Sequence, residues 1–212
     1  MCNNCPKKKC STSVDGKEIV QMKEITIGVL ALQGAFAKHI EMIRSLGVQA
    51  REVRHASDLL ACQGLILPGG ESTTIMRLIK YARLEEPLRS FSAQKPVFGT
   101  CAGLIIMSKS IKNDQMIPFE WMDIEIERNA YGRQIDSFGV PLELNLASRP
   151  YKFQGVFIRA PSIRKTGTSV QILAKNNEEA VLVRQKQFLG ATFHPELTDD
   201  NTIHAYFLKM IS

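Results

Sequence analysis

Apolar runs in this 212-residue chain stop at about eight residues, far short of the roughly twenty that span a bilayer, so no membrane span is expected. The first residues are polar and lack an apolar core segment, which argues against a secretory signal. Cysteine is sparse and odd in number: five, with Cys2, Cys5 and Cys10 near the start and Cys62 and Cys101 in the body. That count speaks against a disulfide framework and for a reducing, cytoplasmic setting. The first three thiols have no nearby histidine and no fourth ligand, so a structural zinc site is not expected there, and no metal or cofactor is expected elsewhere. The net charge is +6, yet no basic stripe interleaved with aromatics occurs, and the one basic cluster, Lys7-Lys8-Lys9, stands outside any patterned segment. Nucleic acid is therefore not an expected partner. Internal repeats, low-complexity stretches and clean internal linkers are missing too.

What is present suits one ordinary domain: 44% hydrophobic and 23% charged residues give enough material for a sizeable core. Residues 1–23 have little apolar content and no period, and read as a tail outside the fold. Residues 24–212 form the domain, beginning just after Met22. Ile25 to Leu32 is a near-continuous aliphatic run, as a central parallel strand would be. Phe36, Ile40, Ile43 and Leu46 follow at helical spacing, and Gly47 ends that helix. Val48 to Val53 is a second strand, Ser57 to Leu60 a helical turn, and Gly64 to Leu67 a third strand. After Pro68-Gly69-Gly70-Glu71-Ser72-Thr73-Thr74, Ser72 or a neighbouring threonine is placed to cap a helix carrying Ile75, Met76, Leu78 and Ile79. Helix continues from Leu84 to Phe91.

This rhythm predicts an α/β fold, a single three-layer domain in which a mostly parallel sheet carries helices on both faces. The second half predicts short strands near 124–127, 156–158, 170–173, 180–183 and 188–193. These are expected to be antiparallel additions to the core sheet. A last helix over 199–211 presents Ile203, Tyr206, Phe207 and Met210 to the core.

The chain is organised around Gly99-Thr100-Cys101-Ala102-Gly103, between the apolar run 96–98 and the helical run 104–107. Gly-x-Cys-x-Gly on a strand-to-helix turn holds its central residue in an uncommon backbone conformation, with glycines relieving crowding on both sides. It presents the sulfur at a strand's carboxyl end, beside helix-start N–H groups that favour a thiolate. Taken alone, these five residues fit either a packing cysteine or a nucleophile. Downstream, His194-Pro195-Glu196 puts an imidazole and a carboxylate on one face if the chain is extended. A thiol nucleophile needs a base, and the base needs a group to hold its tautomer, so Cys101, His194 and Glu196 fill three complementary roles. Gln33-Gly34, Gly69-Gly70-Glu71 and Cys101 all lie at strand carboxyl ends, where doubly wound sheets bind ligands.

Together these residues resemble the class I, or triad, glutamine amidotransferase family, whose domain is flavodoxin-like. Leu32-Gln33-Gly34-Ala35, Leu67 to Thr74, Glu127-Arg128-Asn129, Gly132-Arg133-Gln134 and Phe157-Ile158-Arg159-Ala160-Pro161 narrow the resemblance. They are similar to the glutaminase subunits of pyridoxal 5′-phosphate synthase, the SNO branch, over about residues 24–212. The resemblance implies that Cys101 attacks the carboxamide of L-glutamine to form a γ-glutamyl thioester and release ammonia. His194 would move the proton and Glu196 would orient it. It implies glutamine contacts from Gly70, Glu71, Ser72, Arg133, Ile158 and Arg159, with Glu71 meeting the α-ammonium and an arginine the α-carboxylate. Backbone N–H groups near Gly70 and Ala102 would hold the oxyanion. A synthase subunit in a large hetero-oligomer would receive the ammonia for vitamin B6 synthesis. The stretch 113–122, with Trp121, departs from the pattern. Two other classes fit the same residues: a superfamily member serving another acceptor or a cysteine-peptidase relative, and a binding module that keeps the fold without activity. The intact triad argues against the last.

Overall fold

The computed structural model describes residues 25–128 and 137–211. In chain order the first half runs β1 (Thr26–Leu30), α1 (Phe36–Ser45), β2 (Gln49–Val53), a 3-10 turn (Ala56–Ala61), β3 (Gly64–Leu67), α2 (Ser72–Tyr81) and α3 (Glu85–Ser92). It closes with β4 (Val97–Thr100) and α4 (Ala102–Met107). The second half runs β5 (Ser108–Ile111), β6 (Met122–Glu127), β7 (Ser137–Leu144), β8 (Tyr151–Ile158), β9 (Ser162–Thr166), β10 (Gln171–Asn176), β11 (Glu179–Gln185) and β12 (Phe188–Ala191). A 3-10 turn (Pro195–Leu197) and α5 (Thr202–Leu208) end it. Among the described residues no helix is long and apolar enough to cross a membrane.

The main sheet has the order β10-β11-β12-β4-β3-β1-β2. Strands β2, β1, β3, β4 and β12 are mutually parallel, while β11 and β10 add antiparallel pairing at one side. Its central strands are buried throughout, which is why they read as unbroken apolar runs. Alternate residues feed two cores. Leu65, Leu67 and Val97 pack with Ile75, Leu88 and Leu104 of α2, α3 and α4. Ile66 and Phe98 pack with Ile40 and Ile43 of α1 and with Ile203 and Phe207 of α5. The sheet is thus sandwiched between two helical layers, as the sequence predicts.

The structure corrects the placement of 188–193. β12 is not an outer antiparallel addition. It lies inside the sheet, parallel to β4 in the register Gly190–Gly99 and Ala191–Thr100. This neighbour comes from far along the chain, so local pattern carries no sign of it.

Two small sheets complete the fold: β5-β6-β9, and the antiparallel hairpin β7-β8. In β6, Met122, Ile124 and Ile126 are buried, and their acidic neighbours pair outward, Asp123 with Lys109 and Glu125 with Lys165. β5, β7 and β9 escape the sequence reading because they are short, polar on one side or, in β7, interrupted by Pro141.

Glycines 99 and 103 permit the close crossing of β4 and α4. A Cβ at Gly103 would overlap the Leu67 carbonyl oxygen, and one at Gly99 would lie 2.7 Å from the Gly103 carbonyl carbon. Backbone cannot yield as a side-chain tip can. Gly103→Ala is accordingly expected to lower the unfolding free energy by about 1–3 kcal/mol or more, the usual cost of overpacking, measured as a urea midpoint that falls without a change of slope.

Candidate active site

Cys101 sits between β4 and α4 with φ 47° and ψ −103°. A non-glycine residue in that region costs on the order of 1–3 kcal/mol and persists only where its surroundings hold it. Here the Cys101 N–H donates to the Ala191 carbonyl at 2.9 Å, extending the β4–β12 pairing, and its own carbonyl accepts from Ile105 at 3.2 Å. The elbow predicted from sequence is present, and the sulfur stands at the carboxyl end of β4. The Ile158 carbonyl lies 4.0 Å from Sγ.

His194 follows β12 and is anchored by its N–H to the Val156 carbonyl at 2.8 Å. Its Nδ1 is 2.7 Å from Glu196 Oε1. The expected extended chain is not what joins them: Pro195 opens the 3-10 turn Pro195–Leu197, and that turn brings the carboxylate back under the ring. All three side chains are buried. Burial opposes a charge on His194, but hydrogen bonds that the ring donates to Cys101 and Glu196, together with their charge, outweigh it, raising the imidazolium to about 10. Burial likewise opposes a charge on Glu196, and the facing His39 and His194 nonetheless hold it below the ordinary carboxylate range.

These groups open onto a cleft of about 330 Å³, near the small end of the roughly 300–1,000 Å³ range of small-molecule sites. Gln33 and Gly34 after β1, Gly69 to Ser72 after β3, and Cys101 after β4 converge on it. Two contacts lace these loops. The Ala35 N–H donates to the Gly69 carbonyl at 3.0 Å, and the Glu71 N–H donates to Gln33 Oε1 at 2.9 Å. Gly34 has φ 99°, and a Cβ there would overlap the Gly69 oxygen. Gly69 in turn supports the His194 ring, since a Cβ on it would overlap His194 Cε1.

Of the residues expected to contact glutamine, Gly70, Glu71, Ser72, Ile158 and Arg159 line the cleft, while Arg133 lies outside the described residues. Arg159 takes φ 43°. Ala102 supplies the first N–H of α4, which has no acceptor within the helix. Glu71 corrects the capping expectation. It, not Ser72 or a threonine, caps α2, its carboxylate accepting from the Thr73 N–H at 3.1 Å and the Thr74 N–H at 2.7 Å. Burial works against its charge, but the Thr74 hydroxyl and these amides bring its pKa to about 2.

Arg128, which enters the sequence resemblance only within the segment Glu127-Arg128-Asn129 and has no role there, lines the cleft. It bonds Glu71 Oε1 at 3.1 Å and Asp114 Oδ2 at 2.8 Å. Its role is set by distant partners rather than by the half-buried strand it follows. His39 and His204, buried behind the triad, were missed from sequence.

A cysteine on a strand-to-helix elbow of a doubly wound sheet, faced by a histidine–glutamate pair, has the form of the triad glutamine amidotransferases. A solved structure described as a glutamine amidotransferase superposes with a TM-score of 0.82 at 43% identity, covering 87% of this chain and 98% of that one. A putative GMP synthase component from Thermoplasma acidophilum shares the fold at a TM-score of 0.66 and 15% identity, over 89% of this chain and 94% of that one. The chain belongs to the SNO glutamine amidotransferase family, which matches residues 29–212. Among curated relatives, the pyridoxal 5′-phosphate synthase subunit PdxT of Shouchella clausii is 47% identical over 88% of this chain and 95% of its own length. The protein of that name from Geobacillus thermodenitrificans is 49% identical over 87% of this chain and 94% of its own length.

Proposed function

We propose that this chain is the glutaminase subunit of a pyridoxal 5′-phosphate synthase, a cytoplasmic enzyme that hydrolyses L-glutamine to L-glutamate and ammonia. The observation that carries the reading is the line Cys101–His194–Glu196 on the elbow of a SNO-family fold. Before attack His194 has already taken the thiol proton and Glu196 stabilises the imidazolium, as its pKa near 10 requires, and Sγ then attacks the side-chain carboxamide carbon. Collapse of the tetrahedral intermediate breaks the C–N bond, and His194 returns the proton to the departing ammonia. Water then hydrolyses the γ-glutamyl thioester, restoring the thiol and yielding glutamate. The Ala102 and Gly70 N–H groups hold the oxyanion. Gly70, Glu71, Ser72, Ile158, Arg159 and Arg133 bind glutamine, with Glu71 toward the α-ammonium and an arginine toward the α-carboxylate.

The ammonia acceptor is the synthase subunit, in a large hetero-oligomer. Docking on the rim formed by Gln33-Gly34 and Gly69-Gly70 is expected to set the Gly70 N–H for the oxyanion, because these glycine loops can reorient a peptide at low steric cost. A donor of this kind acts on the transition state, so partner binding should raise kcat by on the order of 10²–10³. A Cβ at Gly70 would lie 2.5 Å from the Gln33 amide oxygen, the end of a flexible side chain, and 3.2 Å from the Gly34 Cα, which need give by only a few tenths of an ångström, so Gly70→Ala should fold. It should lose most of the partner-induced rate and little of the basal rate. Steady-state glutaminase kinetics of both proteins, alone and with saturating synthase subunit, test this. Equal parental rates with and without a demonstrably bound synthase subunit would refute the coupling, and absence of glutamine hydrolysis in both would refute the assignment.

A further inference from the structure

Behind Glu196, outside the residues that line the cleft, three fully buried side chains continue the line of the triad: His39 of α1, Thr100 of β4 and His204 of α5. His39 Nδ1 lies 2.9 Å from His204 Nε2. His39 Nε2 lies 3.1 Å from Thr100 Oγ1 and 3.5 Å from Glu196 Oε2. Phe98 packs edge-on against both imidazoles, fixing their planes. Among the described residues Glu196 Oε2 and His204 Nδ1 have no hydrogen-bond partner of ordinary length.

The protons can be placed by elimination. Burial lowers the pKa of His39, against the pull of Glu196, and burial together with His39 brings His204 to about 3, so each neutral ring carries one N–H. The short contact between them needs one donor. If His39 Nδ1–H donated, a bare Nε2 lone pair would face the Glu196 carboxylate, and the His204 proton would sit on Nδ1 with no acceptor. A buried unsatisfied donor and a buried unsatisfied carboxylate oxygen would result together. If His204 Nε2–H donates to His39 Nδ1, the His39 proton is on Nε2, facing Thr100 Oγ1 and Glu196 Oε2. The lone pair of His204 Nδ1 is then unmatched, and Glu196 Oε2 faces the His39 N–H at 3.5 Å without a full hydrogen bond, since that N–H is also held by Thr100 Oγ1 at 3.1 Å.

We propose that His39, its tautomer set by His204, is a positioning residue: it aims Nε2–H at Glu196 Oε2 and so holds that carboxylate anionic and in the rotamer that orients His194. The inference rests on the glutaminase reading for its consequence and on the buried geometry for its premise. His194 and Glu196 are the other titratable groups that face this pair.

The test uses the full chain with its synthase subunit. His39→Leu is expected to lower kcat roughly 10–100-fold, the scale seen when partners that orient a reactive group are removed, with KM for glutamine unchanged. The acid limb of kcat/KM should move to higher pH, because a carboxylate deprived of its donor is protonated more readily. His39→Gln, which keeps an amide donor, should recover most of the rate although its stranded polar atoms make it the less stable variant. A purely structural role would have activity follow stability instead, and that ordering, or a parental kcat in folded His39→Leu, overturns the proposal. Should the variants not fold, the imidazole ¹⁵N spectrum of the parental protein decides. Nε2–H on both His39 and His204 supports the assignment, and Nδ1–H on His39 in an active parental complex overturns it. An inactive parental complex would instead remove the glutaminase reading, and this role with it, whatever the tautomers.

Discussion

Cys101→Ala is expected to reduce glutamine hydrolysis by on the order of 10⁴-fold or more while leaving the fold intact, because removing one member of a nucleophile–base–orienter set removes the covalent route altogether. The β-carbon and the backbone contacts to Ala191 and Ile105 remain, so the circular dichroism spectrum and urea midpoint should stay near the parental values. Cys101→Ser should be nearly as inactive, since the hydroxyl is the weaker nucleophile at the same spot. A glutamine analogue with an electrophilic side chain should label Cys101 and spare Cys62. Cys62 is fully buried, burial pushes its thiol up, and its sulfur faces the Asp58 carbonyl at 3.2 Å. Peptide mapping after labelling, alongside the kinetics, checks both statements. Robust turnover by the alanine variant would end the thioester mechanism.

Glu196→Gln should lower kcat roughly 10³–10⁴-fold, less than His194→Ala, for two reasons that act together. Glu196 Oε1 accepts from His194 Nδ1, but an amide nitrogen in its place can donate, turning the ring toward the tautomer that cannot receive the thiol proton. The imidazolium also loses the charge that helps hold its pKa near 10. With Glu196 gone, burial of His194 is opposed by less, so its pKa falls. The sign is therefore definite: the alkaline limb of kcat/KM moves to lower pH in the variant. A pH profile from the parental and variant complexes measures it. A parental rate in Glu196→Gln would reduce the triad to a dyad.

Much of this site was written locally. The runs that became β1, β3 and β4 are buried on both faces, and full burial removes the need for polar alternation, so they were visible as strands. The elbow was visible because a strand crossing a helix at this distance admits only glycine at 99 and 103. His194 and Glu196 were visible because only Pro195 separates them, and the 3-10 turn that replaced the expected extended segment serves the same end.

What local pattern did not carry was every decision made by a distant neighbour. β12 entered the sheet beside β4, Glu71 met Arg128, and the strands of the small sheets took partners across other segments. The histidines divide along the same line. His194 is marked in the sequence by the Pro-Glu that follows it. His39 and His204 are 165 residues apart, each reading as a polar position on an amphipathic helix. Only the packing of α1 and α5 onto the same face of the sheet buries both rings against Phe98 and against each other. Sequence sets which side chains a helix offers and how often. Which of them meet behind Glu196 is set by where two helices land, a long-range outcome of core packing.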